Sequence, residues 1–439
     1  MPTFALTPGK ASCRCRTGVF EKTLFIKKDM RTDNCVTMAM PCGLRAIHMP
    51  SSSPVVYLGY QIAAGSRDER ENEEGLAHFC EHMTFKGTER RSAWNILNCL
   101  EAVGGSLNAY TTKECTVFYA AVPEHYTRRA VDLLTDIVFH STYPQKEIDK
   151  EVEVICDEIE SYNDSPADLI YDDFENIVFH GHPLGHNILG TTERVRSFTT
   201  ADALRFTSRL YTPGNAVFFM YGGKKLPTIP IGSATLAEPR LQKTAISSAS
   251  LFSAAGETTR DKGTHQAHVM LGSPSYGASD DLLRERMSLY LLNNIIGGRG
   301  MNSRLNVTLR EHRGLVYTVE SSMTTYGDTG LWCTYLGCDK DDVRRCLRLV
   351  RRELDKFMDE PLSERRLNAA KKQLRGQLTI DCDNRENFAL DLGSVYLFRD
   401  KARDVEKTCK EIDAVTAEDI QRVARHIFEP SKMTTLIYK

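Results

Sequence analysis

The chain has 439 residues, of which 41% are hydrophobic, and this is enough for two or more domains with a sizeable core. Its 56 basic and 58 acidic residues nearly cancel, so the composition calls for neither a nucleic acid nor an anionic membrane as a partner, and no apolar run approaches the roughly 18 residues of a membrane span. The 13 cysteines are odd in number and scattered without a C-x-x-C pair, which favours reduced thiols and a cytoplasmic setting.

The N-terminal segment, residues 1–33, shows no helical or strand period and lacks the long apolar core of a signal peptide. We expect a disordered extension here, or a translation start at Met30. From Asn34 onward the pattern is strand-like: Cys42-Gly43 suits a hairpin turn, and Val55 to Ile62 is rich in β-forming residues.

The segment from Gly75 to Met83 contains His78, Glu81 and His82 in the order H-x-x-E-H. On a helix, residues four apart differ by about 40° and one turn, so both imidazoles project from one face. Two neutral imidazoles can supply half of a tetrahedral zinc shell, and Glu81 lies on the same side as a candidate general base. Alone, this short match is a weak signal, because histidines also occur on ordinary half-buried helix faces.

Three further elements are predicted before the next acidic helix. Ser92 to Leu100 is predicted as a helix that ends at Gly104-Gly105, Thr116 to Val122 as a strand, and Tyr126 to Phe139 as a helix.

A third ligand must come from elsewhere, and the amphipathic pattern of Glu147 to Ile159 offers two candidates. Glu151 and Glu158 are seven residues apart, so they point the same way but lie about 10 Å apart along the axis. One would bind the metal and the other would orient the site. The spacing alone leaves open which is which, and acids on a solvated helix face are common.

Two cysteines lie inside the proposed metal helices, but their spacing argues against thiolate ligands. Cys80 is two residues from His78, about 200° around the helix, and Cys156 is two residues from Glu158. Both are predicted to be small core residues. The dense histidine cluster His180 to His186 contains Gly and Pro and is predicted to be a structural loop rather than a second metal site.

The second part of the chain repeats the first at a nearly constant offset. The matching segments are Arg128–Leu134 with Arg344–Val350 and Thr200–Asp202 with Thr416–Glu418 at 216, and Pro144 with Pro361, Pro213 with Pro430 and Val217–Tyr221 with Thr434–Tyr438 at 217. At an offset of 216, the positions of His78, Glu81, His82 and Glu158 are occupied by Asn294, Gly297, Gly298 and Leu374. The second copy therefore has no metal site.

These patterns predict an α+β fold of two homologous domains, each a mostly antiparallel sheet packed against helices. We expect a zinc-bearing catalytic domain at 34–223, a linker rich in Pro, Ser, Thr and Ala at 224–262, and a homologous domain without the metal site at 263–439.

The H-x-x-E-H segment, followed at a distance by Glu158, resembles the signature of the inverted-zincin peptidases of the pitrilysin, insulinase and mitochondrial processing peptidase family. The other matching segments are Gly65–Glu69, Phe85–Thr88, Gly104–Thr111 and Leu309–Tyr317. The resemblance runs from about residue 34 to the C-terminus.

The resemblance implies a zinc endopeptidase that hydrolyses peptides or small unfolded proteins inside a closed chamber. The implied ligands of one Zn²⁺ per chain are His78, His82 and Glu158. Glu81 would be the general base and Glu151 a supporting residue. Asn108 and Ala109 would lie on an edge strand that pairs with the substrate backbone. Tyr317 would donate to the oxyanion, and Arg310 would hold substrate carbonyls.

Larger family members carry the zinc half and the Arg/Tyr half in one long chain, so this shorter chain is predicted to form a homodimer, with a heterodimer as the other possibility. Arg310 and Tyr317 would then complete the partner's zinc site. An alternative is a non-catalytic or partner-dependent subunit of a processing-peptidase-like heterodimer, although such partners usually lack the metal ligands. S-ribosylhomocysteine lyases share the motif, but they are shorter and single-domain, and the duplication argues against them. Manganese or cobalt could replace zinc in vitro.

Overall fold

The computed structural model describes residues 35–231 and 255–439. The predicted extension at 1–33 and residues 232–254 of the predicted linker lie outside these ranges. The first half contains these strands and helices: β1 Val36–Ala39, β2 Arg45–Met49, β3 Val55–Ile62, α1 Leu76–Thr84, α2 Ala93–Glu101, β4 Ser106–Thr111, β5 Thr116–Pro123, α3 Thr127–Phe139, α4 Gln145–Asn163, α5 Pro166–Val178, α6 Thr192–Val195, α7 Thr200–Leu210 and β6 Ala216–Tyr221.

Among the described residues, the second half follows the same order except that it has no counterpart of β1 and has a π-helical turn in place of α2. Its elements are β7 Glu257–Arg260, β8 Ala267–Ser275, α8 Leu283–Gly297, a π-helical turn at Asn306–Glu311, β9 Val316–Thr325, β10 Gly330–Cys338, α9 Val343–Asp359, α10 Glu364–Asp381, α11 Arg385–Arg399, α12 Val405–Ala414, α13 Ala417–Ile427 and β11 Thr434–Tyr438. Strand β7 falls inside the predicted linker, so the second sheet begins before residue 263.

Both sheets are mostly antiparallel. The strand orders are β1-β2-β6-β3-β5-β4 and β7-β11-β8-β10-β9. Each sheet has a single parallel pair at the equivalent place, β2 with β6 in the first half and β7 with β11 in the second. The predicted α+β fold of two homologous domains is confirmed.

The duplication extends to individual helix caps. Helix α7 begins with a capping box in which the Thr199 side chain accepts from the Asp202 N–H and the Asp202 carboxylate accepts from the Thr199 N–H. Helix α13 begins with the same box, formed by Thr416 and Asp419. Because such boxes satisfy helix N–H groups that have no partner within the helix, both copies use one local solution to start the same helix.

Each sheet is covered on one face by helices of its own half and on the other by a helix of the opposite half. In the first sheet, Phe218 faces the core formed with the first-half helices, whereas Val217 and Phe219 face α11. In the second sheet, the opposite face packs against Phe174 of α5. This alternation follows from the two-residue period of a strand. The halves therefore exchange helices reciprocally.

Helix α11 lies unusually close to the first sheet. At Gly393 a Cβ would lie 2.8 Å from Cδ1 of Phe219, so only glycine fits at this point of the helix. Nearby, the buried Gln61 amide donates to the carbonyl of Leu390 at 2.8 Å. Both contacts fix the second half against the first.

Candidate metallopeptidase site

Helix α1 and helix α4 bring the three predicted metal ligands together. His78 Nε2 lies 3.7 Å from Glu158 Oε1, and His82 Nε2 lies 3.3 Å from Glu158 Oε2. The three ligand atoms all lie within 4.8 Å of one another. Ligand atoms about 2.1 Å from a zinc ion at tetrahedral corners lie roughly 3.4 Å apart, so this donor set fits zinc.

Of the two glutamates that the spacing left open, Glu158 joins the ligand cluster and Glu151 lies behind it. Glu151 Oε1 is 3.1 Å from His82 Nδ1, and its other oxygen is 2.5 Å from Lys86 Nζ. A carboxylate on the second ring nitrogen fixes the tautomer and orientation of a ligand histidine. Lys86 had no predicted role; it lies in the Phe85–Thr88 segment and its charge holds Glu151 in place.

The two histidines differ electrostatically. Burial, followed by the neighbouring charge of His82, lowers the pKa of His78 to about 4. Burial alone would lower the pKa of His82, but hydrogen bonds with Glu151 and Glu158 raise it to about 9. Of the two carboxylates, Glu158 lies where the two Nε2 atoms converge, and its negative charge there suits a divalent cation.

Glu81 is buried beside the ligands and is held by a hydrogen bond from Thr111. The Thr111 hydroxyl donates to Glu81 Oε2 at 2.7 Å. Burial raises the pKa of Glu81, while the bond from Thr111 acts in the opposite direction. A carboxylate with a raised pKa is better matched to taking up and releasing a proton near neutral pH. No sequence pattern indicated a role for Thr111 beyond its place at the end of the Gly104–Thr111 segment.

The predicted substrate residues lie on an edge strand. Asn108 and Ala109 belong to β4, which pairs with β5 on one side and with no other strand of the described residues on the other. The Asn108 side chain is exposed. Because Thr111 ends the same strand, this edge runs up to the residue that holds Glu81.

Arg310 and Tyr317 lie in the second half, and within the described residues no hydrogen bond or ion pair joins them to the ligands or to Glu81. Both line a cavity of about 440 Å³. Tyr317 is 61% exposed, and its hydroxyl donates to Asp339 Oδ1 at 3.0 Å. This hydrogen bond raises the pKa of Tyr317, so the hydroxyl keeps its proton and remains a donor.

That cavity is the second half's counterpart of the metal site. Among its lining residues are the four that replace the ligands and the base: Asn294, Gly297, Gly298 and Leu374. None of these four side chains is a usual zinc ligand.

The cysteines and the histidine loop, which were the other candidates, do not form metal sites in the described residues. Cys80 and Cys156 are buried, and their thiols point to the carbonyls of Ala203 and Thr192, at 4.0 and 3.9 Å. In the described ranges, the cluster of His78, His82 and Glu158 is the only group of three His, Cys, Asp or Glu side chains with metal-binding spacing, so the histidine loop does not form another.

The chain has two similar α+β halves. One carries the H-x-x-E-H helix, and the other has no metal ligands at the equivalent positions. This is the architecture of a metallopeptidase with one active and one inactive domain. Comparison with known families agrees: the insulinase family, peptidase family M16, matches residues 46–192, and the M16 inactive domain matches residues 240–374. The chain therefore belongs to the M16 peptidase family.

Curated relatives carry zinc protease names. The chain is 31% identical over 387 residues to the uncharacterized zinc protease YmxG of Bacillus subtilis, covering 87% of this chain and 92% of that protein. It is 33% identical to an uncharacterized zinc protease of Rickettsia felis, covering 84% and 89%.

Solved structures share the fold. A protease from Helicobacter pylori superposes with a TM-score of 0.82 at 20% identity, covering 92% of this chain and 99% of that one. A peptidase M16 inactive domain structure from Pseudomonas fluorescens gives 0.83 at 20% identity, covering 92% and 97%.

No helix among residues 35–231 and 255–439 combines the length and the apolar character that crossing a membrane requires.

Proposed function

We propose that the chain is a zinc-dependent endopeptidase that binds one Zn²⁺ and hydrolyses peptides or small unfolded proteins inside a closed chamber. The observation that carries the proposal is the convergence of His78 Nε2, His82 Nε2 and a Glu158 oxygen beside the buried Glu81. The scattered cysteines support a cytoplasmic setting. The non-catalytic alternative gains no support, because all three ligands and the base are present.

The chain's own residues account for substrate placement and proton transfer. The free edge of β4 at Asn108 and Ala109 can pair with an extended substrate backbone. Such pairing recognises the main chain of the substrate, so many side-chain sequences are tolerated. Bound zinc would polarise the scissile carbonyl and lower the pKa of water. Glu81, held by Thr111, would take a proton from the attacking water and later pass one to the leaving amine. Glu151 would keep His82 oriented throughout.

The test is hydrolysis of a quenched fluorescent peptide of mixed sequence, with and without a chelator, by the wild type and by Glu81→Gln. We expect the chelator to abolish hydrolysis and Glu81→Gln to reduce it by several orders of magnitude while zinc content stays at one per chain. Hydrolysis that survives in the variant would contradict the assignment of Glu81 as the base. Hydrolysis that survives chelation would contradict a metal-dependent reaction.

We further propose that two chains form a dimer in which Arg310 and Tyr317 of one complete the zinc site of the other. The exposure of Tyr317, and the lack of any hydrogen bond or ion pair among the described residues from Arg310 or Tyr317 to the ligands of the same chain, support this arrangement. Mixing Glu81→Gln subunits with Tyr317→Phe subunits should restore one good site per mixed dimer. Failure to recover activity in dimers shown to be mixed would overturn the shared site.

A further inference from the structure

Helix α1, which carries His78, Glu81 and His82, has no side-chain cap of its own, because its N-cap is Gly75 with φ of 92°. Glu69 supplies the cap from outside the helix. Its Oε2 accepts from the Gly75 N–H at 3.1 Å, and its Oε1 accepts from the Ala77 N–H at 2.8 Å. The first N–H groups of a helix lack internal partners and carry partial positive charge, so a carboxylate here stabilises the start of the helix.

The histidine loop holds Glu69 in place. His186 Nε2 lies 2.9 Å from Glu69 Oε2 and 3.0 Å from the Ser66 carbonyl. Because both atoms are acceptors, Nε2 carries the hydrogen and donates. The Glu69 side chain is 1% exposed. Burial raises the pKa of Glu69 to about 7, and the hydrogen bonds from His186 and the Ala77 N–H oppose this rise.

Residues 65–69, the segment that contains Glu69, contact the second half of the chain through Arg67. The Arg67 guanidinium lies 2.6 Å from Glu114 Oε1 and 2.5 Å from Asp328 Oδ2. The three side chains are 6%, 11% and 8% exposed, so the ion cluster is buried. Asp328 lies in the turn between β9 and β10. The Gly327 N–H in that turn also donates to Glu114.

The backbone of this segment is fixed as well. The Ser66 and Arg67 N–H groups donate to the carbonyls of Thr112 and Lys113 at 3.2 and 2.9 Å. These acceptors directly follow Thr111, which holds Glu81. Residues 65–69 therefore contact the start of the metal helix, the end of the substrate edge strand and the turn of the second half.

We propose that Glu69 is a positioning residue of the zinc centre, and that residues 65–69 are the link through which the second half of the chain holds the metal helix in place. The inference rests on the proposed zinc site. It gives the inactive half a role in building the metal site of its own chain, in addition to any role in a partner's site. Metal ligands must be held within about 0.5 Å of their working positions, and Ala77, which Glu69 binds, directly precedes His78.

The primary variant is Glu69→Gln, measured in the full chain by zinc competition against a chromophoric chelator at pH 8, where Glu69 is ionised. Glutamine keeps the volume but has one acceptor oxygen, so one of the two N–H groups loses its partner. We expect zinc affinity to fall by roughly tenfold, as when a group that orients a metal ligand is lost. Glu71→Gln, an exposed glutamate two residues away, is the matched control and should leave the affinity unchanged.

A second variant tests the link to the other half. Asp328→Asn keeps the volume and leaves Arg67 paired with Glu114, yet it should weaken zinc binding in the same direction by a smaller factor. Asp341→Asn, an exposed aspartate in the same half, is its control. If both Glu69→Gln and Asp328→Asn bind zinc within twofold of the wild type, the proposal is wrong.

Thermal unfolding with and without zinc separates positioning from general stability. Zinc stabilises the folded chain according to its dissociation constant, so a positioning role predicts a smaller zinc-induced rise in Tm for Glu69→Gln. An equal fall in Tm with and without zinc, with the rise unchanged, would instead show a purely structural role. These measurements do not use peptide hydrolysis, so they still decide the matter if the wild type binds zinc and cleaves nothing.

Discussion

At the scale of single residues, the site depends on supporting side chains that contact the metal ligands or the base and hold them in position. Lys86 holds Glu151, Glu151 holds His82, and Thr111 holds Glu81. Each bond joins groups far apart in sequence. The H-x-x-E-H spacing predicted the ligands because helix geometry fixes which side chains share a face. The amphipathic pattern also offered Glu151 as one of two candidate acids, but no local pattern predicted Lys86 or Thr111, because a hydrogen bond between distant segments leaves no period in the sequence.

The first prediction concerns Thr111→Val, which removes the hydroxyl and keeps the shape. Glu81 loses its only side-chain hydrogen bond in the described residues, so we expect kcat to fall by about tenfold while zinc content and KM stay near wild type. Steady-state kinetics on the fluorescent peptide measures this. Thr111→Ser restores the hydroxyl and should recover most of the rate; a serine variant as slow as valine would contradict the role of the hydrogen bond.

The second prediction concerns Asp136, a fully buried carboxylate on α3 that accepts from Thr88 at 2.8 Å, from Arg90 at 3.0 Å and from Arg91. Asp136→Asn should lower the free energy of unfolding at pH 7 by about 1–2 kcal/mol, at the low end for charged hydrogen bonds because Arg90 is half exposed. Urea denaturation measures the difference.

The pH dependence of that difference checks its origin. Burial alone would raise the pKa of Asp136, but the bonds from Thr88, Arg91 and Arg90 lower it below 3.8. A lowered folded-state pKa gives stability that is full above the unfolded value and is lost as pH falls through the folded value. The gap between wild type and Asp136→Asn should therefore persist from pH 8 to 5 and shrink below pH 4. A gap that stays constant into acid would mean that charge is not its source.

At the scale of elements, sequence patterns predicted β3, β5 and α1 to α4 of the first half, and the offset of 216 to 217 predicted the duplication. They did not predict that α5 and α11 pack on the sheet of the opposite half. Amphipathic periodicity tells which face of a helix is apolar, but it does not tell which sheet that face meets. The strand at Glu257–Arg260 was likewise hidden in a polar segment, because a short edge strand buries too little to show alternation.

The contact of α11 with the first sheet gives a prediction with opposite signs at two glycines. Gly393→Ala places a Cβ 2.8 Å from the Phe219 ring, so it should destabilise the chain by about 1–2 kcal/mol despite the better helix propensity of alanine. Gly376→Ala lies inside α10 with no atom within 4 Å of the new Cβ, so it should stabilise by about 0.5–1 kcal/mol. Urea midpoints of both variants measure this, and equal signs would contradict the close packing.

At the scale of the whole molecule, the reciprocal helix exchange joins the halves into one folding unit. Phe174 of α5 and Leu392 of α11 are both fully buried at faces that belong to the opposite sheet. Gln61, Arg67 and Glu114 add polar contacts across the same boundary. Neither half can bury both faces of its sheet alone, so the two should not unfold separately.

This predicts a single thermal transition with calorimetric and van't Hoff enthalpies in a ratio near one. A protease site inserted into residues 232–254 and cleaved after folding should leave the pieces associated, co-eluting on size exclusion with the far-UV spectrum of the intact chain. Each piece produced alone should be insoluble or unfolded. Two resolved transitions, or a single piece that is soluble and folded, would contradict the conclusion that the two halves form one folding unit.

The exchanged helices also have an evolutionary consequence. After a duplication, each copy is free to lose whatever the other still provides, and here the second copy has Asn294, Gly298 and Leu374 at the ligand positions and Gly297 at the position of the base. It cannot be discarded, because its α11 covers the first sheet and its own sheet covers α5. Selection can therefore remove the catalytic residues of one copy but not its helices and sheet. The surface of the retained domain can then evolve a new role.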